Sequence, residues 1–159
     1  MKIDSTDVAI LSILQQEGRI PIAELASRIH LTTSPCSERV KRLEKSGVIE
    51  QYQAKLSTDK LGLPLVIFVH VSLDQTNNNE IFEEFALQTL AIDEVEECYS
   101  VTGDFDVTLK LRLKDIIEFQ EFMATKFLTL PGIVRSRSEV MIKQFKSSTM
   151  INVNRLNCI

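Results

Sequence analysis

The side chains in this chain best placed to do chemistry are cations. In the run Ser34-Pro35-Cys36-Ser37-Glu38-Arg39-Val40-Lys41-Arg42-Leu43-Glu44-Lys45, apolar residues recur at helical spacing. With Val40 as the reference and about 100° per residue, Cys36 and Leu43 fall within about 60° of it. Ser34, Lys41 and Lys45 then lie at roughly 100–140°, and Arg42 and Arg39 at roughly 200–260°. One side packs, and the other offers four cations and small hydroxyls. Such groups neutralise phosphates, and an arginine can read guanine through two hydrogen bonds. Glu38 and Glu44 reduce the local charge, so a merely solvated face is the competing reading.

Other chemistries have less to draw on. Two histidines, His30 and His70, are too few for a histidine metal site. Three cysteines, Cys36, Cys98 and Cys158, lie far apart without a CxxC pair. A disulfide framework and a zinc site are therefore not expected, and a reducing cytoplasm is the simplest setting. Cys36 and Cys98 read as packing residues, and Cys158 as an exposed one. Asp93, Glu94, Glu96 and Glu97 cluster at a strand start, as a solvated edge or, less simply, a hard-cation site.

The cationic run needs elements to position it. Asp4 caps a first helix, with Asp7 in the capping-box position and an apolar stripe of Val8, Ile10, Leu11 and Leu14. Pro21 opens a short second helix with Ile22, Leu25, Ala26 and Ile29 inward. His30–Thr33 is a tight connection. The cationic helix begins around Thr32–Pro35 and ends at Gly47, a natural C-cap. Val48–Ser57 reads as an extended strand or wing. Two helices across a short turn, the second basic outside, form a helix-turn-helix whose second helix enters the major groove.

Charge and pattern change near Ser57–Gly62. Residues 1–60 hold nine Lys+Arg against eight Asp+Glu, while residues 61–159 hold nine against fourteen. The second part would repel nucleic acid. It reads as strand Leu65–Leu73, a helix capped by Asn77 with Ile81, Phe82, Phe85, Ala86 and Leu90 buried, and strand Val95–Val101. Gly103-Asp104 then turns into the strand of Val107, Leu109, Leu111 and Leu113. A helix of Ile116, Phe119, Met123 and Phe127 follows, broken at Pro131-Gly132, and strand Ile133–Phe145 closes the order βαββαβ. The expected fold is α+β: a winged helix-turn-helix over 1–60 and a ferredoxin-like αβ-sandwich over 61–159. The second face of the first strand, with Val66 and Phe68, would be covered by another subunit, giving a two-fold homodimer. No apolar run approaches the roughly 18 residues of a membrane span. Met1–Ile13 mixes acids into its apolar positions, unlike a signal or transit peptide.

These residues resemble the Lrp/AsnC family of amino-acid-responsive transcription regulators. The resemblance runs through Ile3–Leu14 (IDSTDVAILSIL), Gly18-Arg19-Ile20, Glu24-Leu25-Ala26, Leu31–Cys36 (LTTSPC), Arg39–Glu44 (RVKRLE) and Gly47–Ile49. It continues in Val101–Asp106 (VTGDFD) and Val134–Lys146. Pro21, Gln51, Ser136 and Ser138 depart from the residues common in the family.

The resemblance implies a non-enzymatic, nucleoid-associated regulator that binds double-stranded DNA and needs no cofactor. Its dimers would assemble into tetramers or octamers, with a small amino-acid effector between the second domains. Ser34, Ser37, Arg39, Lys41, Arg42 and Lys45 would face DNA. Val101, Thr102, Gly103, Asp104, Asp106, Ser136 and Ser138 would hold the effector, with Gly103 admitting close approach and an aspartate taking an ammonium group. A plain hairpin turn is the alternative for Gly103-Asp104. The competing functions are an architectural DNA binder without effector and an enzyme resembling the siroheme decarboxylases.

Overall fold

The computed structural model describes residues 2–74, 79–148 and 150–155, without the side chain of Asn79. It forms two compact units. One contains residues 1–55 together with 146–159, and the other residues 56–145. The sequence division at residue 60 had left the last segment with the second domain; the fold returns it to the first.

The first unit is built on α1 (Ser5–Leu14), α2 (Ile22–Arg28) and α3 (Thr33–Lys45). The capping box at α1 is complete: Asp7 N–H donates to Asp4 Oδ1 (2.8 Å) and Asp4 N–H to Asp7 Oδ2 (3.2 Å). These bonds satisfy backbone donors that a helix start otherwise leaves unpaired. The end of α2 is a Schellman turn. Leu31 N–H donates to Ala26 O (2.9 Å) and His30 N–H to Ser27 O (3.3 Å), with His30 at φ 57°. That single left-handed residue reverses the chain between the two helices. Gly47, at φ 75°, ends α3 in the same way, through Val48 N–H to Leu43 O.

The core of this unit joins Val8, Ile10, Leu11, Leu25, Ala26, Cys36, Val40 and Leu43 to Val153. Val153 belongs to a 3-10 turn, Val153–Arg155, that packs on α1. Gln15 holds the approach to that turn from both sides. Its Nε2 donates to Ile151 O (3.1 Å) and its Oε1 accepts from Ile151 N–H (2.6 Å). Residues 48–57 form no strand, so of the expected strand or wing the strand is not found. Tyr52 fastens this stretch instead, donating its hydroxyl proton to Glu44 Oε1 (2.9 Å).

The second unit runs β1 (Leu65–Leu73), α4 (Asn79–Thr89), β2 (Val95–Ser100), β3 (Val107–Leu113), α5 (Ile116–Thr125), a 3-10 turn Phe127–Thr129, and β4 (Ile133–Val140). The sheet order is β2-β3-β1-β4, with every neighbouring pair antiparallel. This is the expected βαββαβ arrangement. One face packs Ile67, Val69, Val71, Leu73, Val107, Leu109, Leu111 and Leu113 against Phe85, Phe122 and Phe127.

Several details differ from the sequence pattern. In α4, Phe85 and Thr89 are buried, while Ala86 is exposed and Leu90 is 83% exposed. Thr89 sits one turn beyond Phe85 on the sheet side and bonds its hydroxyl to Ala86 O. The Asn77 cap lies outside the described residues. In α5 it is Phe122 that is buried and Ile116 that is exposed, and Asp115 provides the cap through Oδ1 to Ile117 and Glu118 N–H. β4 stops at Val140, five residues short of the expected end.

The other sheet face is mainly polar. Lys110 contacts Glu96 and Glu97, and Arg112 contacts Glu96. His70 Nδ1 lies 3.0 Å from Thr108 Oγ1. Val66 is nevertheless buried, in register with Arg112, whose stem is long enough to cover apolar surface. Cys98 is exposed on the edge strand β2, not buried as its strand position suggested.

Candidate nucleic-acid interface and effector turn

The α3 surface divides into two flanks. Cys36, Val40 and Leu43 face the core, and burial pushes the Cys36 thiol up, which keeps it protonated and inert. On one flank Ser34, Lys41 and Lys45 are exposed, and Ser37 is half-buried beside them. Lys41 and Lys45 form no ion pair among the described residues. This flank carries free positive charge at the surface of a helix-turn-helix.

The other flank is tied to α1. Arg39 Nη1 reaches Asp4 Oδ2 (2.7 Å) and Asp7 Oδ1 (2.9 Å), and Arg42 Nη2 reaches Asp7 Oδ2 (2.6 Å). Asp7 is fully buried, Arg39 is 29% exposed and Arg42 48%. The Arg39 guanidinium holds the Asp4 carboxyl below its ordinary range, and Asp4, with Asp7, raises Arg39 in return. The sequence reading grouped all four cations on one DNA-facing side. The wheel itself held the missing signal, because roughly 260° places Arg39 beside Cys36 and Leu43, on the flank that meets the Asp4/Asp7 cap.

In the second unit, the turn after β2 is fastened to the end of β1. Val101 N–H donates to Asp106 O (2.9 Å), Asp106 N–H to Val71 O (2.9 Å), and Leu73 N–H to Asp106 Oδ2 (2.9 Å). Asp106 thus ties the turn to β1 through its backbone and one carboxylate oxygen. Thr102, Gly103 and Asp104 are exposed, and Gly103 has φ 125° with open space where a Cβ would stand. The Asp104 carbonyl accepts from Arg135 Nη2 (2.8 Å) and Ser72 Oγ (3.4 Å).

Ser136 and Ser138 are exposed on β4, in register with Val71 and Val69. Ser136 therefore lies at the sheet end that carries the turn. Ser138 lies two residues away, about 7 Å along the strand. Three residues at this end were not singled out as site residues from sequence. Phe105 lies under the guanidinium groups of Arg135 (4.6 Å) and Arg137 (5.1 Å), and its ring centroid is 5.6 Å from that of His70. Alternation on β4 puts Arg135 and Arg137 on the face opposite Ser136, a signal that was available from the strand period.

The acids near β2 carry ordinary structural work. Glu94 pairs with Lys126, and Lys110 holds Glu97 below its usual range. Among the described residues no cluster of three or more metal-ligating side chains occurs, and no helix is long and apolar enough to cross a membrane.

Comparison with known proteins identifies both parts of the chain. Residues 3–50 match a winged helix-turn-helix DNA-binding family, and residues 66–151 match the Lrp/AsnC ligand binding domain. The chain is 38% identical to the leucine-responsive regulatory protein of Haemophilus influenzae, over 94% of this chain and 89% of that protein. Among solved structures, a transcriptional regulator from Neisseria meningitidis in complex with L-Met aligns with a TM-score of 0.91 at 34% identity, covering 96% of this chain and 98% of the other. A feast or famine regulatory protein from Mycobacterium tuberculosis complexed with L-methionine aligns with a TM-score of 0.83 at 29% identity, covering 94% and 98%. The chain belongs to the Lrp/AsnC family of transcriptional regulators, combining a winged helix-turn-helix DNA-binding domain with that family's ligand-binding domain.

Proposed function

We propose that this protein regulates transcription by binding specific DNA sites through α3, and that an amino acid changes its assembly or DNA affinity. The observation that carries the DNA reading is the exposed flank of Ser34, Lys41 and Lys45, presented by a helix whose entry is fixed at His30. Ser37 joins this flank at the DNA-facing start of the helix, where base edges are read. Residues 1–55 with the returning segment form the DNA-binding unit, and residues 56–145 the effector and assembly unit.

The effector reading rests on the turn at 101–106. Its exposed Gly103 admits a ligand backbone, Asp104 offers a carboxylate to an ammonium group, and Ser136 stands at the same sheet end. Val101 and Thr102 line the turn, Asp106 braces it, and Ser138 extends the surface along β4. Methionine is the first effector to test, because the Neisseria and Mycobacterium relatives are described with it bound. The protein acts as a homodimer that builds larger assemblies in the cytoplasm, on the nucleoid. A dimer would set two α3 helices about 34 Å apart over a pseudo-palindrome.

The test is a gel shift on DNA upstream of the protein's own gene, with and without each of the twenty amino acids. Specific binding that one or a few amino acids alter supports the reading. Binding no better than to a random fragment removes the DNA assignment for that site, and specific binding indifferent to every amino acid removes the effector.

A further inference from the structure

We infer that Asp7 sets the sequence-independent part of this protein's DNA affinity by holding Arg42 and Arg39 away from the phosphate backbone. This rests on the reading of α3 as the DNA-binding helix. Asp7 is fully buried, yet both of its carboxylate oxygens point at guanidinium groups of α3. Arg39 is held doubly, by Asp4 as well as Asp7, whereas among the described residues Arg42 is held by Asp7 alone. Arg42 also has 48% of its side chain in solvent, so it has the reach to move once released.

The charge balance along α3 gives this arrangement its consequence. Two arginines meet two aspartates on one flank, which leaves Lys41 and Lys45 as the cations of the other, unpaired among the described residues. Phosphate attraction is independent of sequence and is set by the number of free cations. Base contacts carry the discrimination between sites. A helix that exposed all four cations would bind any duplex more tightly, its own site and random DNA alike, and gain no discrimination between them. Asp7 therefore lowers the sequence-independent part of binding while leaving the opposite flank to read DNA. Asp7 and Arg42 are positioning residues in this scheme and touch no base.

The experiment measures the affinity of the full-length protein for a specific site and for a random duplex, as a function of salt. Released cations steepen the dependence of log affinity on log salt by about 0.9 for each new phosphate contact. Asp7→Asn is expected to steepen the slope on random DNA by about 0.9 and to raise affinity for specific and random DNA by similar factors. Asp7→Asn combined with Arg42→Gln is expected to return the slope to that of the parent. Arg42→Gln alone is expected to change the slope by much less than 0.9, and it tests the idea even if Asp7→Asn does not fold.

A slope that falls by about 0.9 in Arg42→Gln would show Arg42 already on phosphate and overturn the inference. An unchanged slope in a folded Asp7→Asn would reduce the network to scaffolding and also overturn it. Absence of any specific site for the parent protein would instead count against the DNA reading itself.

Discussion

Three glycines in the second unit, Gly62, Gly103 and Gly132, have positive φ, and alanine should cost very different amounts at the last two. Gly103 has φ 125° with no heavy atom within 4 Å of where a Cβ would sit, so Gly103→Ala pays backbone strain only. That strain is about 1–3 kcal/mol. Gly132, at φ 70°, opens β4, and its Cβ would fall well inside van der Waals contact of Ile81 Cγ2 on α4. Gly132→Ala therefore carries similar strain plus a forced repacking of about 1–3 kcal/mol, roughly doubling the loss. Against a total of about 5–15 kcal/mol for a typical domain, the Gly132 variant should lose a large share of the unit's stability. Thermal unfolding followed by a probe in residues 56–145 measures both. The clash can be separated from the strain with Ile81→Leu, which removes the branch carrying Cγ2. In the Gly132→Ala background it should recover the overlap portion and leave the strain. Equal losses at Gly103 and Gly132, or no recovery with Ile81→Leu, would refute this account of why glycine is needed at 132.

Three further outcomes are expected. Gly103→Trp should abolish the amino-acid response in the gel shift while DNA binding without effector persists; a retained response would remove the turn from the site. Val153→Ala should destabilise the DNA-binding unit by about 1–2 kcal/mol, two methyl groups' worth, with residues 56–145 unaffected, as amide exchange resolved by unit would show. Partial burial, reinforced by the Glu44 carboxylate, pushes the Tyr52 phenol up to about 12. A raised pKa means the folded state holds the proton more tightly, so this contribution is complete below about 10 and disappears as pH rises from there towards 12. Tyrosinate absorbance should show a late titration that moves earlier, but stays above 10, in Glu44→Gln.

The parts of the molecule that were legible in the sequence are those governed by local rules. The Asp4/Asp7 box, Gly47 at the end of α3 and the period-2 run of β1 each decide their structure within a few residues, and all three stand as expected. The ferredoxin-like order followed because strand and helix periods alternated cleanly. Long-range pairings were harder. The wheel around Val40 located the cationic flanks of α3 but not which acids would meet Arg39 and Arg42, since Asp7 lies 35 residues from Arg42. Edge effects misled as well: Leu90 and Cys98 fit an inward pattern, but Leu90 falls just past the end of α4, Cys98 lies on the edge strand β2, and both are exposed. In the candidate effector site, the turn was marked by its glycine, whereas the stacking of Arg135 and Arg137 on Phe105 depends on register between strands far apart in the chain.

The return of residues 146–155 to α1 makes the DNA-binding unit discontinuous in sequence, with the whole of residues 56–145 inserted between its two pieces. Protein synthesis runs in one direction, so α1, α2 and α3 emerge from the ribosome long before Val153. At about 5–20 residues per second, the hundred or so intervening residues correspond to a wait of roughly 5–20 s. For that interval the apolar flank of α1 lacks the partner that later covers it, and Gln15 has no Ile151 backbone to hold. The sheet unit can complete its own core first. The part of the nascent chain destined for DNA is thus the last to be finished, after residues 56–145 have already had time to fold.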